Sequence, residues 1–163
     1  MGTLLVWVII LLNFILQGTL FYRFSIFGVF PNTAIVIIVC FSLFSNKNKG
    51  ASYGFVIGIL QDILYGQALG IYALIYMIIG YCIGLINRKV FKDNLIISFF
   101  ITTVATIFYI IMNIASLYVL GLEVSYSDFI NISSIIQILY NSIISIFAYL
   151  YVIKMKKKGI LKF

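Results

Sequence analysis

The chain has 163 residues, of which 64% are hydrophobic, 17% aromatic and only 9% charged, with a mean hydropathy of +1.19. Soluble domains run at about 45–50% apolar and about 25% charged, so this composition excludes a water-soluble globule, and its apolar excess excludes a disordered or low-complexity polymer. The net charge of +7 comes from 11 Lys and Arg against 4 Asp and Glu, clustered at the ends of apolar runs, which reads as a topology signal and not as a nucleic-acid footprint.

The first apolar run, residues 4–22, carries no charge and stops at Arg23. Met1-Gly2-Thr3 lacks the basic start of a cleavable signal, so this run is expected to be retained as a first span. A second span, residues 29–45, opens at Pro31, where a first-turn proline is tolerated, with Asn32 and Thr33 as capping residues. The third, residues 50–65, follows the polar Ser45-Asn46-Lys47-Asn48-Lys49 and is short against a hydrocarbon core of about 30 Å. Gly66 and Gly70 mark a tight uncharged turn into a fourth span, residues 70–86, so the two form a helical hairpin. A fifth span covers residues 95–120. A polar stretch with Glu123 and Asp128 separates it from a sixth, residues 129–153, which ends in the basic tail Lys154, Lys156, Lys157, Lys158 and Lys162.

The clusters at Lys47 and Lys49, at Arg88 to Lys92 and at Lys154 to Lys162 follow the second, fourth and sixth spans, which places ten of the eleven cations on one side. The positive-inside rule makes that side cytoplasmic. The reading is an all-α membrane protein of six transmembrane helices, one polytopic domain over residues 1–163, with both termini in the cytoplasm.

Few residues can carry chemistry. Histidine is absent, which removes His-based triads, haem ligation and HExxH zinc sites, and Cys40 and Cys82 lie within apolar runs without metal or redox spacing. Neither catalysis nor a cofactor or metal is expected. Gly50, Gly54, Gly58, Asp62, Gly66 and Gly70 recur at every fourth position, a step of about 400° on an α-helix, so they share one slowly drifting face. Gly80 and Gly84 continue the pattern on the fourth span. In lipid such a ridge lets backbones approach closely, either within the chain or against a partner.

Asp62 is the one ionisable side chain inside these spans, and burying its charge at depth costs about 2.5–3.5 kcal/mol. It is either an ion or proton site or a cap for exposed amides of the following turn. The cap is the favoured reading, because no second intramembrane acid or base can relay a proton; Gln61 and Asn113 are candidate hydrogen-bond donors to it. A mild polar seam runs along the fifth and sixth spans, including Thr106, Asn113, Ser134, Gln137, Asn141 and Ser145, and reads first as helix-packing glue. Tyr22, Tyr65, Tyr118, Tyr126 and Tyr151 fall near span ends as interfacial anchors, and the lysine tail suits anionic lipid.

Pro31-Asn32 opening a helix, a basic loop, then Gly54-Phe55-Val56-Ile57-Gly58-Ile59-Leu60-Gln61-Asp62 followed by Gly66, Leu69-Gly70, Ala73-Leu74 and Tyr76 resembles the bacterial rod shape-determining MreD family. The match is close over residues 31–86 and approximate over the whole length. It departs at Gln67-Ala68-Leu69-Gly70, where the family often carries Pro. The resemblance implies a noncatalytic inner-membrane scaffold of the elongation machinery for lateral peptidoglycan synthesis, with MreC as main partner and MreB, RodA and a class B penicillin-binding protein beyond it. Self-association is left open. The architecture is also similar to the S components of energy-coupling-factor vitamin transporters, an alternative weakened by the bulky residues 4–12, where S components usually offer an Ala-xxx-Ala surface.

Overall fold

The structure is a computed structural model that describes residues 2–19, 28–66, 68–86, 95–122 and 131–161. Among the described residues the apolar runs fold as α1 (Gly2–Thr19), α2 (Thr33–Phe44), α3 (Lys47–Tyr65), α4 (Ile71–Leu85), α5 (Leu95–Val119) and α6 (Ile132–Lys157), with no β-strand. Arg23, Gln67, the Arg88 to Lys92 cluster, the Glu123 and Asp128 stretch, Tyr22, Tyr126 and Lys162 lie outside the described residues.

The bundle is organised around α2. Its sequence, Thr-Ala-Ile-Val-Ile-Ile-Val-Cys-Phe-Ser-Leu-Phe, is apolar all round, as expected of a helix with no solvent face. All its residues but Ile37 are buried, and it touches each of the other five helices. By contrast α1 packs on α2 and α3, burying Val6 and Ile10 while Leu11, Leu12 and Ile15 face outward. Two hydrogen bonds tie α1 in: Asn13 Nδ2 donates to Thr33 Oγ1 at 2.9 Å, and Gln61 Nε2 donates to Gln17 Oε1 at 2.8 Å.

Element boundaries differ from the sequence expectation in three places. Only Ser45 and Asn46 link α2 to α3, because Lys47, Asn48 and Lys49 form the first turn of α3, closed by Gly50 N–H on the Asn46 carbonyl at 2.8 Å. Exposed on the outside of that turn, they keep their heads in water without breaking the helix. α6 likewise continues beyond residue 153, so Lys154, Lys156 and Lys157 occupy its last turn, where positive charge complements the helix dipole. There the chain reverses in a Schellman motif: Gly159, at φ +70°, donates to the Lys156 carbonyl at 3.0 Å and Ile160 N–H to that of Met155 at 3.1 Å. The reversal returns Leu161 to the core, 2% exposed. Gly121, at φ +72°, ends α5 in the same way.

Third, α2 begins later than expected. Pro31 precedes the N-cap instead of occupying the first turn; Asn32 is the N-cap and its Oδ1 accepts from Ile35 N–H at 3.3 Å. At 1.5 Å per residue the 12-residue helix is about 18 Å long, so the non-helical backbone before it falls at bundle depth and needs partners from protein. Asn141, fully buried on α6, supplies one: its Oδ1 accepts the Asn32 backbone N–H at 2.8 Å, while its Nδ2 donates to Thr106 Oγ1 of α5 at 3.3 Å. Asn32 Nδ2 in turn donates to the Tyr76 hydroxyl of α4 at 2.8 Å. One small network therefore fastens α2, α4, α5 and α6 at a single level.

α5 and α6 are each long and apolar enough to cross a membrane, whereas α1, α2 and α4 contribute shorter apolar segments. Removing Asn141 tests the network. Asn141→Leu leaves the Asn32 N–H buried without an acceptor and is expected to cost about 1–3 kcal/mol, read as a lowered unfolding midpoint of the purified protein in detergent.

Candidate functional site

α3 and α4 form an antiparallel hairpin in which backbone meets backbone. A β-carbon built on Gly50 would overlap the Gly80 carbonyl, one on Gly54 the Tyr76 carbonyl, and one on Gly58 the backbone of Ala73. From the other side, Gly80 would strike the Gly50 carbonyl, and a β-carbon on Gly84 would lie 2.7 Å from the Lys47 Cα. The four-residue step of α3 and the Gly80/Gly84 pair of α4 are thus two halves of one contact, the close approach that small-xxx-small faces permit. The face is filled by the chain's own α4, so it is no open groove for another molecule.

Gly66 and Gly70 do not extend that face. α3 ends at Tyr65, Gly66 is its C-cap, and Gly70 is the N-cap of α4 at φ +102°, a left-handed conformation that suits glycine. The spacing of four persists through the turn while the helix on which it has meaning has already stopped.

Asp62, 4% exposed on the last full turn of α3, serves the start of α4. A helix begins with N–H groups that lack intrahelical acceptors, and an N-cap glycine has no side chain to provide one. Asp62 Oδ2 accepts from Gly70 N–H at 2.9 Å and Ala73 N–H at 3.0 Å, and Oδ1 accepts from Tyr72 N–H at 2.9 Å. Three charge-assisted bonds and the positive end of the α4 dipole offset the desolvation of the carboxylate. The capped amides belong to the first turn of α4 more than to the loop before it. Neither expected side-chain donor takes part: Gln61 is bonded to Gln17, and Asn113 is not among the Asp62 partners.

The polar seam of α5 and α6 is an interface between them. Thr103 Oγ1 and Ser142 Oγ lie 2.8 Å apart, and Ser98 Oγ donates to the Ser145 carbonyl at 3.3 Å. Asn141, Ser142 and Ser145 are buried, whereas Ser134 and Gln137 of the same predicted stripe are only half-buried. Cys40 is buried and Cys82 exposed. Tyr65, Tyr118 and Tyr151 are exposed near helix ends, as anchors would be. Sequence reasoning missed the inward tyrosines: Tyr76 and Tyr109 have ring centroids 5.6 Å apart, and Tyr72 stacks on Tyr109 at 6.1 Å. The spacing of Tyr72 and Tyr76 by four residues was the available signal.

At the opposite end from Asp62, Lys156 Nζ sits 4.4 Å from the centroid of the Phe44 ring, which itself stacks on Tyr149 at 5.2 Å. Lys47 Nζ lies 6.0 Å from the Tyr81 ring. The basic first turn of α3 and the basic last turn of α6 therefore share one end of the bundle. Lys154, Lys157 and Lys158 are exposed there and line an open apolar-floored depression with Phe147, Leu150 and Tyr151.

A family model described as rod shape-determining protein MreD matches residues 1–158. No curated protein and no solved structure matches the chain.

Two substitutions probe the hairpin. Gly54→Ala is expected to force α3 from α4 and lower thermal stability markedly, while Gly18→Ala, whose β-carbon would meet nothing nearer than 3.7 Å, is expected to be tolerated. Asp62→Asn offers one carbonyl oxygen where the carboxylate offers two acceptors, and turns an amide donor toward N–H groups. It should destabilise by about 1–3 kcal/mol, with Asp62→Leu worse, as read from unfolding midpoints; wild-type stability in Asp62→Leu would show that the cap is dispensable.

Proposed function

The chain belongs to the rod shape-determining MreD family, and we propose that it is a noncatalytic integral-membrane scaffold of the cell-elongation machinery that binds MreC. MreB, RodA and a class B penicillin-binding protein are reached through that contact. The observation that carries this reading is the commitment of Asp62. The one buried carboxylate of the described helices is held by three backbone N–H groups of α4, an arrangement that orders a hairpin and leaves no oxygen free of a hydrogen bond.

Six spans and two cytoplasmic termini complete the proposal. Its support is the convergence of Lys47 and Lys49 with Lys154, Lys156, Lys157 and Lys158 at one end of the bundle, the side that the positive-inside rule makes cytoplasmic. Those exposed lysines also suit anionic headgroups, at about 1 kcal/mol per cation near the surface. Since α4 occupies the glycine face, contact with MreC falls to the outward apolar surfaces of the helices. A vitamin-transporter S component is the weaker reading, because Leu11, Leu12 and Ile15 leave the outer face of α1 bulky.

Tagged protein extracted in mild detergent is expected to retain MreC, and its depletion to round the cells. Failure to retain MreC, together with an unchanged rod shape on depletion, would refute the scaffold. Impermeant labels applied to intact cells should reach neither terminal tag, and labelling of one tag alone would overturn the even number of crossings.

A further inference from the structure

At the Asp62 end of the bundle, between α1, α3, α4, α5 and α6 and the segment leading into α2, lies a cavity of about 450 Å³ that none of the contacts above explains. Its size falls within the range of about 300–1,000 Å³ typical of small-molecule sites. Four amide side chains line it, Gln17, Asn32, Gln61 and Gln137, together with the rings of Tyr72 and Tyr109. No charged residue is among its described lining residues. Asn32 and Gln61 are 7% and 6% exposed, so the amides are built into the wall.

The lining defines the guest by chemistry. A charged molecule would give up part of its hydration against these walls and meet no charged side chain among the described lining residues, which is unfavourable. A purely apolar one would leave the Gln137 amide and the Gln61 carbonyl without a partner from the guest, since Asn32 is already bonded to Tyr76 and Ile35 and Gln61 Nε2 to Gln17 Oε1. Side-chain amides present donors and acceptors together in a fixed plane, as a molecule with several hydroxyl or amide groups requires. Tyrosine faces provide flat apolar contact beside them. Gln137 adds a second observation: half-buried in the wall, it makes no hydrogen bond to any described residue, so its donors and its acceptor are all available. Gln61, in contrast, uses its amide nitrogen on Gln17 and so links the cavity wall to α1, the helix with the fewest attachments.

We propose that this cavity binds an uncharged sugar ring, whose hydroxyl or acetamido groups bond the amides and whose apolar face lies on the tyrosines. The inference rests on the cavity lining alone and does not depend on the MreC contact.

The test uses the full chain in phospholipid nanodiscs, free of glycolipid and of sugar-headed detergents, which would compete. Thermal unfolding is followed against N-acetylglucosamine and glucose as neutral probes, glucosamine and glucuronate as charged counterparts, and N-acetyl-alanyl-alanine amide as an uncharged peptide. The expected result is a saturable rise in midpoint with at least one neutral sugar and none with the charged pair. Gln137→Leu should keep the unliganded midpoint and weaken sugar affinity by about tenfold, the loss of one polar partner. If Gln137→Leu itself unfolds, Tyr109→Leu replaces it, with the same expected loss. No saturable shift with either neutral sugar would leave a water-filled cavity and overturn the proposal. So would equal shifts with charged sugars, an unchanged affinity in the folded variant, or a response to the peptide alone, which would assign the cavity to a polypeptide segment.

Discussion

The architecture rests on a carboxylate that terminates one helix problem by solving another. α4 starts on glycine because only a left-handed residue turns the chain tightly enough after α3, and glycine brings no capping side chain. In water the orphan N–H groups would be hydrated; within an apolar bundle they must find protein acceptors. Asp62 reaches across from the preceding helix and provides both oxygens. The same bonds fix the distance and rotation of α4 relative to α3, and from that register Gly54 falls opposite the Tyr76 carbonyl and Gly50 opposite Gly80. Polar capping and glycine contact are therefore one device: the first sets alignment, the second collects dispersion contacts over the length of the hairpin.

The hairpin is one side of a wrapper around α2. Asn32 and Asn141 perform at the head of α2 what Asp62 performs at the head of α4, bringing acceptors to backbone that no regular structure satisfies. These two polar points lie at the same end of the bundle and are joined through Tyr76, which accepts from Asn32 and belongs to the helix capped by Asp62. The opposite end is held by different forces, a lysine over an aromatic ring and a tyrosine stacked on that ring. A membrane-embedded core gains little from hydrophobic association between helices, so directional contacts of these kinds carry the specificity.

Local features were legible in the sequence, and long-range pairings were not. The step of four through Gly50, Gly54 and Gly58, the lone Asp62 and the lysine clusters declare a hairpin, a cap and a common charged end, because each follows from spacing along one or two adjacent helices. Spacing also misled. Gly66 and Gly70 keep the period after the helix has ended, and the polar run before Gly50 looks like a loop although Lys47 and Lys49 sit comfortably on the exposed side of a helical turn. Asn32 pairing with Asn141, 109 residues away, has no local signature. Gln61 seemed a natural neighbour for Asp62 by sequence, yet consecutive helical positions point about 100° apart, and its amide turns to Gln17.

The enclosure of α2 bears on how the protein is made. Synthesis delivers α2 second, whereas the surfaces that cover it include α6, delivered last. Until then a helix of 12 residues, preceded by backbone whose N–H awaits Asn141, has no partners at its head. Assembly in the bilayer is thus obliged to be late: early segments wait in a loose arrangement, and the arrival of the carboxy-terminal helix locks it. A chain truncated before residue 141 loses the bolt along with the helix, and quality-control proteases that sense unsatisfied polar backbone would meet such a product as unfinished.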